Sequence, residues 1–150
     1  MRVVLQRVKE ASVTVAKKVV GRIDTGMLVL VGFEEGDGPD DIEWMCRKLC
    51  GLRIFEDEEG KMNRNIGDAG GRFLVVSQFT LFANTRKGNR PSFNRSAKPD
   101  LAIPLYEQFV KELGKTTGTD IETGEFGATM NVSLINDGPV TIMIDTKQKE

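Results

Sequence analysis

Histidine is missing altogether from the 150 residues. Its absence removes the Ser-His-Asp triad, the Cys-His pair, His-ligated zinc and imidazole general-base chemistry in one step, so any catalysis must use other groups. Cysteine occurs only twice, at Cys46 and Cys50. A helical i,i+4 spacing suits two reduced, packed thiols better than a disulfide of a secreted framework, and better than a pair of metal ligands. Neither sign of charge is in excess, with 21 Lys and Arg against 22 Asp and Glu. Contact with nucleic acid would therefore need a local cluster rather than the average charge. No apolar run approaches the roughly 18 residues of a membrane span, and Met1-Arg2 runs directly into strand-like Val3-Val4-Leu5. A soluble, cytosolic protein that does not engage a membrane is expected.

What is present suits one globular domain over residues 1–150: 39% hydrophobic and 29% charged residues are enough to bury a core. The stretch the rest is arranged around is Phe73-Leu74-Val75-Val76-Ser77-Gln78-Phe79-Thr80-Leu81-Phe82. An apolar strand, buried on both faces, here carries three hydrogen-bonding side chains in four positions. Each buried polar group left unpaired would cost about 1–3 kcal/mol, so Ser77, Gln78 and Thr80 are either satisfied structurally or held open for a ligand. Their position at a strand end, directly before a basic loop, favours a site. Ser77 and Thr80 fall on opposite faces of a regular strand, so sharing a pocket requires the chain to stop being extended near Gln78. Backbone N–H groups released from the ladder there can face an anionic transition state.

Along the chain, Val3 to Val8 reads as a strand, and Ser12–Val15 with Val19–Ile23 as a hairpin. Gly26 to Phe33 is apolar on both faces, as in a central strand. Pro39 opens a helix that Gly51 closes, with Ile42, Met45, Cys46 and Leu49 as its inward stripe. Leu52–Phe55 reads as a strand and Glu56–Gly60 as a solvated acidic turn without EF-hand spacing. From Asn84 to Pro99 come Arg86, Lys87, Arg90, Arg95 and Lys98 with no acidic residue. With Phe93 interleaved, this loop suits a phosphate backbone and a stacked base. A helix is expected from about Asp100 to Leu113, a loop from Gly114 to Gly118, and a short strand over Asp120–Phe126. Two further strands follow, Met130–Ile135 and Val140–Ile144, separated by the turn signal Asn136-Asp137-Gly138-Pro139.

Ser77-Gln78-Phe79-Thr80-Leu81 and Asn136-Asp137-Gly138-Pro139-Val140-Thr141 together resemble the two signature motifs of the D-aminoacyl-tRNA deacylases. Gln6-Arg7-Val8, Lys61-Met62-Asn63, Arg90-Pro91-Ser92-Phe93 and Gly124-Glu125-Phe126-Gly127-Ala128-Thr129-Met130 extend the resemblance over nearly the whole chain. It implies an α+β fold, with mostly antiparallel and mixed sheets curved into a barrel-like core beside two main helices. It also implies a hydrolase that cleaves the ester of D-aminoacyl-tRNA, rejects L-aminoacyl-tRNA, and extends to glycyl-tRNA mischarged on tRNA(Ala). Ser77, Gln78, Phe79 and Thr80 would be the catalytic segment, with the Phe79 N–H as oxyanion donor. Met130, Gly138 and Pro139 would contact the substrate, and Arg86, Lys87, Arg90 and Arg95 the tRNA. The family forms homodimers in which one subunit's cis Gly-Pro turn enters the other's pocket, here Gly138-Pro139, with Arg7 a candidate brace. No cofactor and no metal are implied. Without histidine, the 2′-hydroxyl of the terminal ribose is a plausible proton acceptor, and Thr80 is expected to position rather than attack. A non-catalytic tRNA-binding module and a small-molecule esterase or peptidase remain the alternatives; the first leaves the polar strand end unexplained, the second the basic loop.

Overall fold

β1 runs unbroken from Arg2 to Val15, with buried positions alternating on either side of an irregularity at Arg7–Glu10, and merges the expected strand with the first arm of the hairpin. The computed structural model describes residues 1–150. After a tight turn at Ala16 (φ 48°) and Lys17 (φ 67°), β2 (Lys18–Ile23) returns antiparallel to β1. Positive φ at two non-glycine residues gives this turn the twist that a hairpin prefers, without its usual Asn-Gly sequence. β3 (Gly26–Gly32) lies antiparallel to the first half of β1 and parallel to β6 (Arg72–Ser77). β7 (Glu122–Thr123) adds at the far edge of β6, and β8 (Asn131–Asp145) runs antiparallel along nearly the full length of β1. The result is a mixed six-stranded sheet in the order β2-β1-β3-β6-β7, with β8 also on β1.

The sheet curls until it is nearly a closed barrel. A Cβ on Gly21 of β2 would lie 2.3 Å from the Thr123 carbonyl oxygen of β7, so only glycine lets the two edges approach. Strand alternation then divides the interior in two. Leu28, Leu74 and Val76 join Val8, Val13 and Ile23 in one cluster, over which Met130, Val132 and Leu134 of the β8 region pack. Met27, Val29, Val31, Phe73 and Val75 point to the other side and meet two helices.

Those helices are α1 (Pro39–Gly51) and α2 (Pro99–Thr117). Pro39 sits at the first turn of α1, the Gly38 N–H donates to the Asp41 carboxylate, and Ile42, Met45, Cys46 and Leu49 are buried. Burial pushes the Cys46 thiol up to about 12 and the Cys50 thiol up to about 11, and both cysteines are unpaired. α2 buries Leu105, Tyr106, Phe109 and Leu113 but is longer than the sequence suggested: it passes through Gly114 and ends at Gly118, φ 70°. Pro104 stands inside it, on the exposed face.

The largest departure from the sequence reading is β8. The Asp-Gly signal does not reverse the chain; one strand of 15 residues runs straight through it. Two steps on β1, from Gln6 to Val8, face five on β8, from Thr141 to Asn136, so the extra residues stand out from the sheet as a bulge. Leu52–Phe55 likewise shrinks to a two-residue strand β4 (Phe55–Glu56), paired with β5 (Met62–Arg64). The acidic turn between them is tied together by Asp57, which accepts from the Glu59 and Lys61 N–H groups and the Asn63 amide. No helix is long and apolar enough to cross a membrane.

Candidate functional site

The ladder between β3 and β6 reaches one residue past Ser77, where the Gln78 N–H donates to the Val31 carbonyl at 2.7 Å. Gln78 (φ −144°, ψ 81°) then leaves the strand, and Phe79–Phe82 form a single 3₁₀ turn. Its bonds run from the Leu81 N–H to the Gln78 carbonyl and from the Ala83 N–H to the Thr80 carbonyl. The first residues of such a turn have no acceptor within it, so the N–H groups of Phe79 and Thr80 are not consumed by the helix. A glycine faces the turn for a steric reason: a Cβ on Gly32 would lie 2.8 Å from the Gln78 carbonyl oxygen. The far end of the turn is fixed by Arg2, which donates to the Leu81 carbonyl (3.0 Å), pairs with Asp145 (2.8 Å) and covers the buried Phe82 ring at 4.7 Å.

Ser77, Gln78 and Phe79 line one wall of a cleft of about 550 Å³. Val31, Gly32 and Phe33 line it too, the start of α2 contributes Pro99 and Ala102, and Phe126, Met130 and Val132 complete the lining. Lys98 is the only ionisable side chain in the lining. The nearby phenol of Tyr106 donates to the Val75 carbonyl, and burial pushes it up to about 12, which keeps it protonated. The cleft thus offers backbone N–H groups, hydroxyls and an amide around an apolar floor, with no carboxylate, thiolate or imidazole to act as a base.

The sequence-predicted residues separate into three places. Ser77, Gln78, Phe79 and Met130 meet in the cleft, whereas Thr80 is outside its lining, its hydroxyl bonded to the Gln78 amide. Gly138 and Pro139 are exposed on the β8 bulge and take no part in the chain's own cleft; the peptide bond between them is cis. The bulge is closed at its base by the Val140 N–H, which donates to Asn136 Oδ1 at 2.8 Å, and held from beneath by Arg7. Arg7 is 4% exposed and donates from Nε to the Asp137 carbonyl (2.8 Å) and from Nη1 to the Ile54 carbonyl (2.6 Å).

The third place is the loop. Arg86, Lys87 and Arg90 are exposed and make no ion pair, but Arg95 is bound to Glu34 at 2.8 Å and reaches over the Phe82 ring at 5.5 Å. Phe93 is not a free ring: it meets Phe79 in a T-shaped contact, with centroids 5.2 Å apart and planes at 74°, and it lines the cleft. Sequence reasoning assigned no role to Phe126, although its stretch was noticed. Its ring tilts against Tyr106 at 5.7 Å and forms part of the cleft, a placement that only the path from β7 to β8 discloses. A larger cleft, about 710 Å³, lies between Arg2, Trp44, Lys48 and Met143 and carries none of the predicted residues.

Comparisons with known proteins cover nearly the whole chain. A family model described as D-Tyr-tRNA(Tyr) deacylase matches residues 4–145. A protein of Bacteroides thetaiotaomicron named D-aminoacyl-tRNA deacylase is 57% identical over 150 residues, all of both chains. A solved structure described as c-Myc DNA Unwinding Element Binding Protein superposes with a TM-score of 0.90 at 41% identity, covering 97% of this chain and 98% of its own. Another, described as a probable eukaryotic D-amino acid tRNA deacylase, gives a TM-score of 0.84 at 20% identity over 95% and 97% of the two chains, a likeness of fold.

Proposed function

Since the chain belongs to the D-Tyr-tRNA(Tyr) deacylase family, we propose that it is a hydrolase that cleaves the ester between a D-amino acid and the terminal ribose of tRNA, acting as a single domain in the cytoplasm. The observation that carries the reading is the cleft itself: a 3₁₀ turn with uncommitted N–H groups, beside a basic loop whose Arg86, Lys87 and Arg90 make no ion pair, in a lining without carboxylate, thiolate or imidazole. Hydrolysis in such a site relies on geometry. Water adds to the ester carbonyl, the Phe79 N–H receives the negative charge that develops on the carbonyl oxygen, and the C–O bond to the ribose breaks. The ribose oxygen leaves with a proton from the attacking water, and the neighbouring 2′-hydroxyl positions that water or relays its proton. Ser77 and Gln78 hold the ester against the turn, and Met130 lines the side-chain space. Arg86, Lys87 and Arg90 meet the tRNA backbone.

Rejection of L-residues is the finer part of the proposal. Gly138 and Pro139 are exposed and outside their own chain's cleft, which supports insertion into the cleft of a second copy in a homodimer. Backbone placed there leaves room at the α-carbon for hydrogen only, so a D-residue or glycine fits and an L side chain collides. Glycyl-tRNA mischarged on tRNA(Ala) is then also a substrate. The test is deacylation of matched D- and L-aminoacyl-tRNA, with light scattering to give the mass in solution. Release of the D-amino acid alone from a dimer is expected. Equal cleavage of both substrates would overturn the chiral reading, and cleavage of neither the enzymatic one.

A further inference from the structure

Phe79 is the exposed residue of an otherwise packed turn: 57% of its surface is open, although its N–H is the group the proposed chemistry depends on. Arg2 fixes the end of the turn at Leu81 and Phe82, and nothing comparable on the sheet side holds the Phe79 ring. What meets it is Phe93, edge to face, from the basic loop. That loop is built to hold Phe93 still. Asn84 and Ser92 exchange two backbone hydrogen bonds at 2.8 and 3.0 Å, the Ser96 N–H donates to the Phe93 carbonyl, and the Ala97 N–H donates to the Phe33 carbonyl. Arg95, two residues on, is bound to Glu34 and lies over Phe82, so the loop touches both the first and the last residue of the 3₁₀ turn. Arg86, Lys87 and Arg90 project beyond the Asn84–Ser92 clamp and make no ion pair.

We propose that Phe93 is a positioning residue for the Phe79 N–H, and that the basic loop therefore serves two purposes, gripping RNA phosphates at its tip and fixing the oxyanion donor at its root. This rests on the deacylase reading above. An aromatic ring in a basic loop invites the other assignment, a platform for a stacked base. The T-shaped contact with Phe79 leaves ring faces open but ties Phe93 to the turn, and it is this tie that the positioning role rests on.

The two roles separate in steady-state kinetics on D-aminoacyl-tRNA. A positioning role predicts that Phe93→Ala lowers kcat about tenfold, the order of one lost aromatic contact, while KM stays within about twofold. Phe93→Tyr, which keeps the edge contact, restores the rate. Phe79→Ala removes the same contact from the other side, so the Phe79→Ala, Phe93→Ala double variant should be no slower than the slower single variant. A KM that rises at unchanged kcat, or losses that multiply in the double variant, overturns the proposal, as does full activity of Phe93→Ala. Should thermal melting show that Phe93→Ala does not fold, Phe93→Leu is read by the same criteria. Wild-type protein that leaves D-aminoacyl-tRNA intact would remove the deacylase reading and this inference together, whereas an active wild type with an indifferent Phe93 removes the inference alone.

Discussion

If the Phe79 N–H stabilises the transition state, deleting that one hydrogen should be far more damaging than deleting the side chain that carries it. The fold permits the experiment at this position. Phe79 is the first residue of the 3₁₀ turn, where φ lies near −50 to −70° and proline's fixed φ of about −65° fits. Gln78, at φ −144° and ψ 81°, is already outside the helical region that a following proline forbids. No intrahelical bond is lost, because the first N–H of the turn has none to make. Phe79→Pro therefore removes the donor and the ring, and Phe79→Ala the ring alone, so the ratio of the two isolates the N–H. An oxyanion donor is worth about 2.7–4 kcal/mol, which is about 10²–10³ in kcat. Single-turnover release of a labelled D-amino acid from tRNA measures the ratio, with melting curves to show that both variants fold. A Phe79→Pro rate within about tenfold of Phe79→Ala would refute the assignment and move the charge stabilisation elsewhere in the cleft.

Thr80→Ala should lower the rate by no more than about tenfold, since its hydroxyl is outside the cleft lining and bonded to Gln78; an acyl-enzyme mass on Thr80 would contradict this. Arg90→Ala should weaken binding to every tRNA alike and flatten the log–log salt slope by up to about 1. Arg95→Ala, which frees Glu34 and uncovers Phe82, should instead lower the melting temperature, and a salt slope that responds equally in both variants would show that Arg95 is an RNA contact after all. Arg7→Lys offers one nitrogen where two carbonyls are served, and urea unfolding should report a loss of about 1–3 kcal/mol for the carbonyl left unpaired. Burial pushes the Asp145 carboxyl up, but its bonds from Arg2 and the Lys147 N–H outweigh this and hold it below the usual carboxylate range. Asp41 is likewise held low, with burial outweighed by hydrogen bonds from Thr146, Lys147 and Gly38. A carboxyl with a lower pKa folded than unfolded stabilises fully above about pH 4, and that stability is lost as pH falls through the folded value. Denaturant midpoints should thus fall below about pH 4, and less steeply in Asp145→Asn.

The strand pattern was legible because the sheet buries both faces, and β3, between glycines, and the Phe73–Val76 core of β6 therefore read as continuous apolar runs. The break after Ser77 was legible too, since a polar trio cannot continue a buried strand. What the sequence could not disclose was which neighbours the break would meet. That Arg95, though exposed, pairs with Glu34 depends on a partner 61 residues away, and Phe126 enters the cleft only because β7 parts from the sheet after Thr123. Two local rules misled. Asp-Gly usually turns a chain, but in β8 the long ladder to β1 resumes after Pro139 and overrides it. Gly114 weakens a helix by about 1 kcal/mol, yet with Leu113 buried α2 continues to Thr117, where left-handed Gly118 closes it and donates its N–H to the Gly114 carbonyl.

The bulge on β8 has a consequence for how such a chain can change. Its pairing with β1 is set independently on either side, by Gln6 with Thr141 and by Val8 with Asn136. Residues inserted, deleted or exchanged between those anchors alter what projects from the surface without moving the strands that carry it. Arg7 restrains the segment from below through the Asp137 carbonyl, and the Val140 N–H bond to Asn136 closes its base. The protein thus holds an interchangeable tip on a permanent mount, and substitutions there leave the register of the barrel in place.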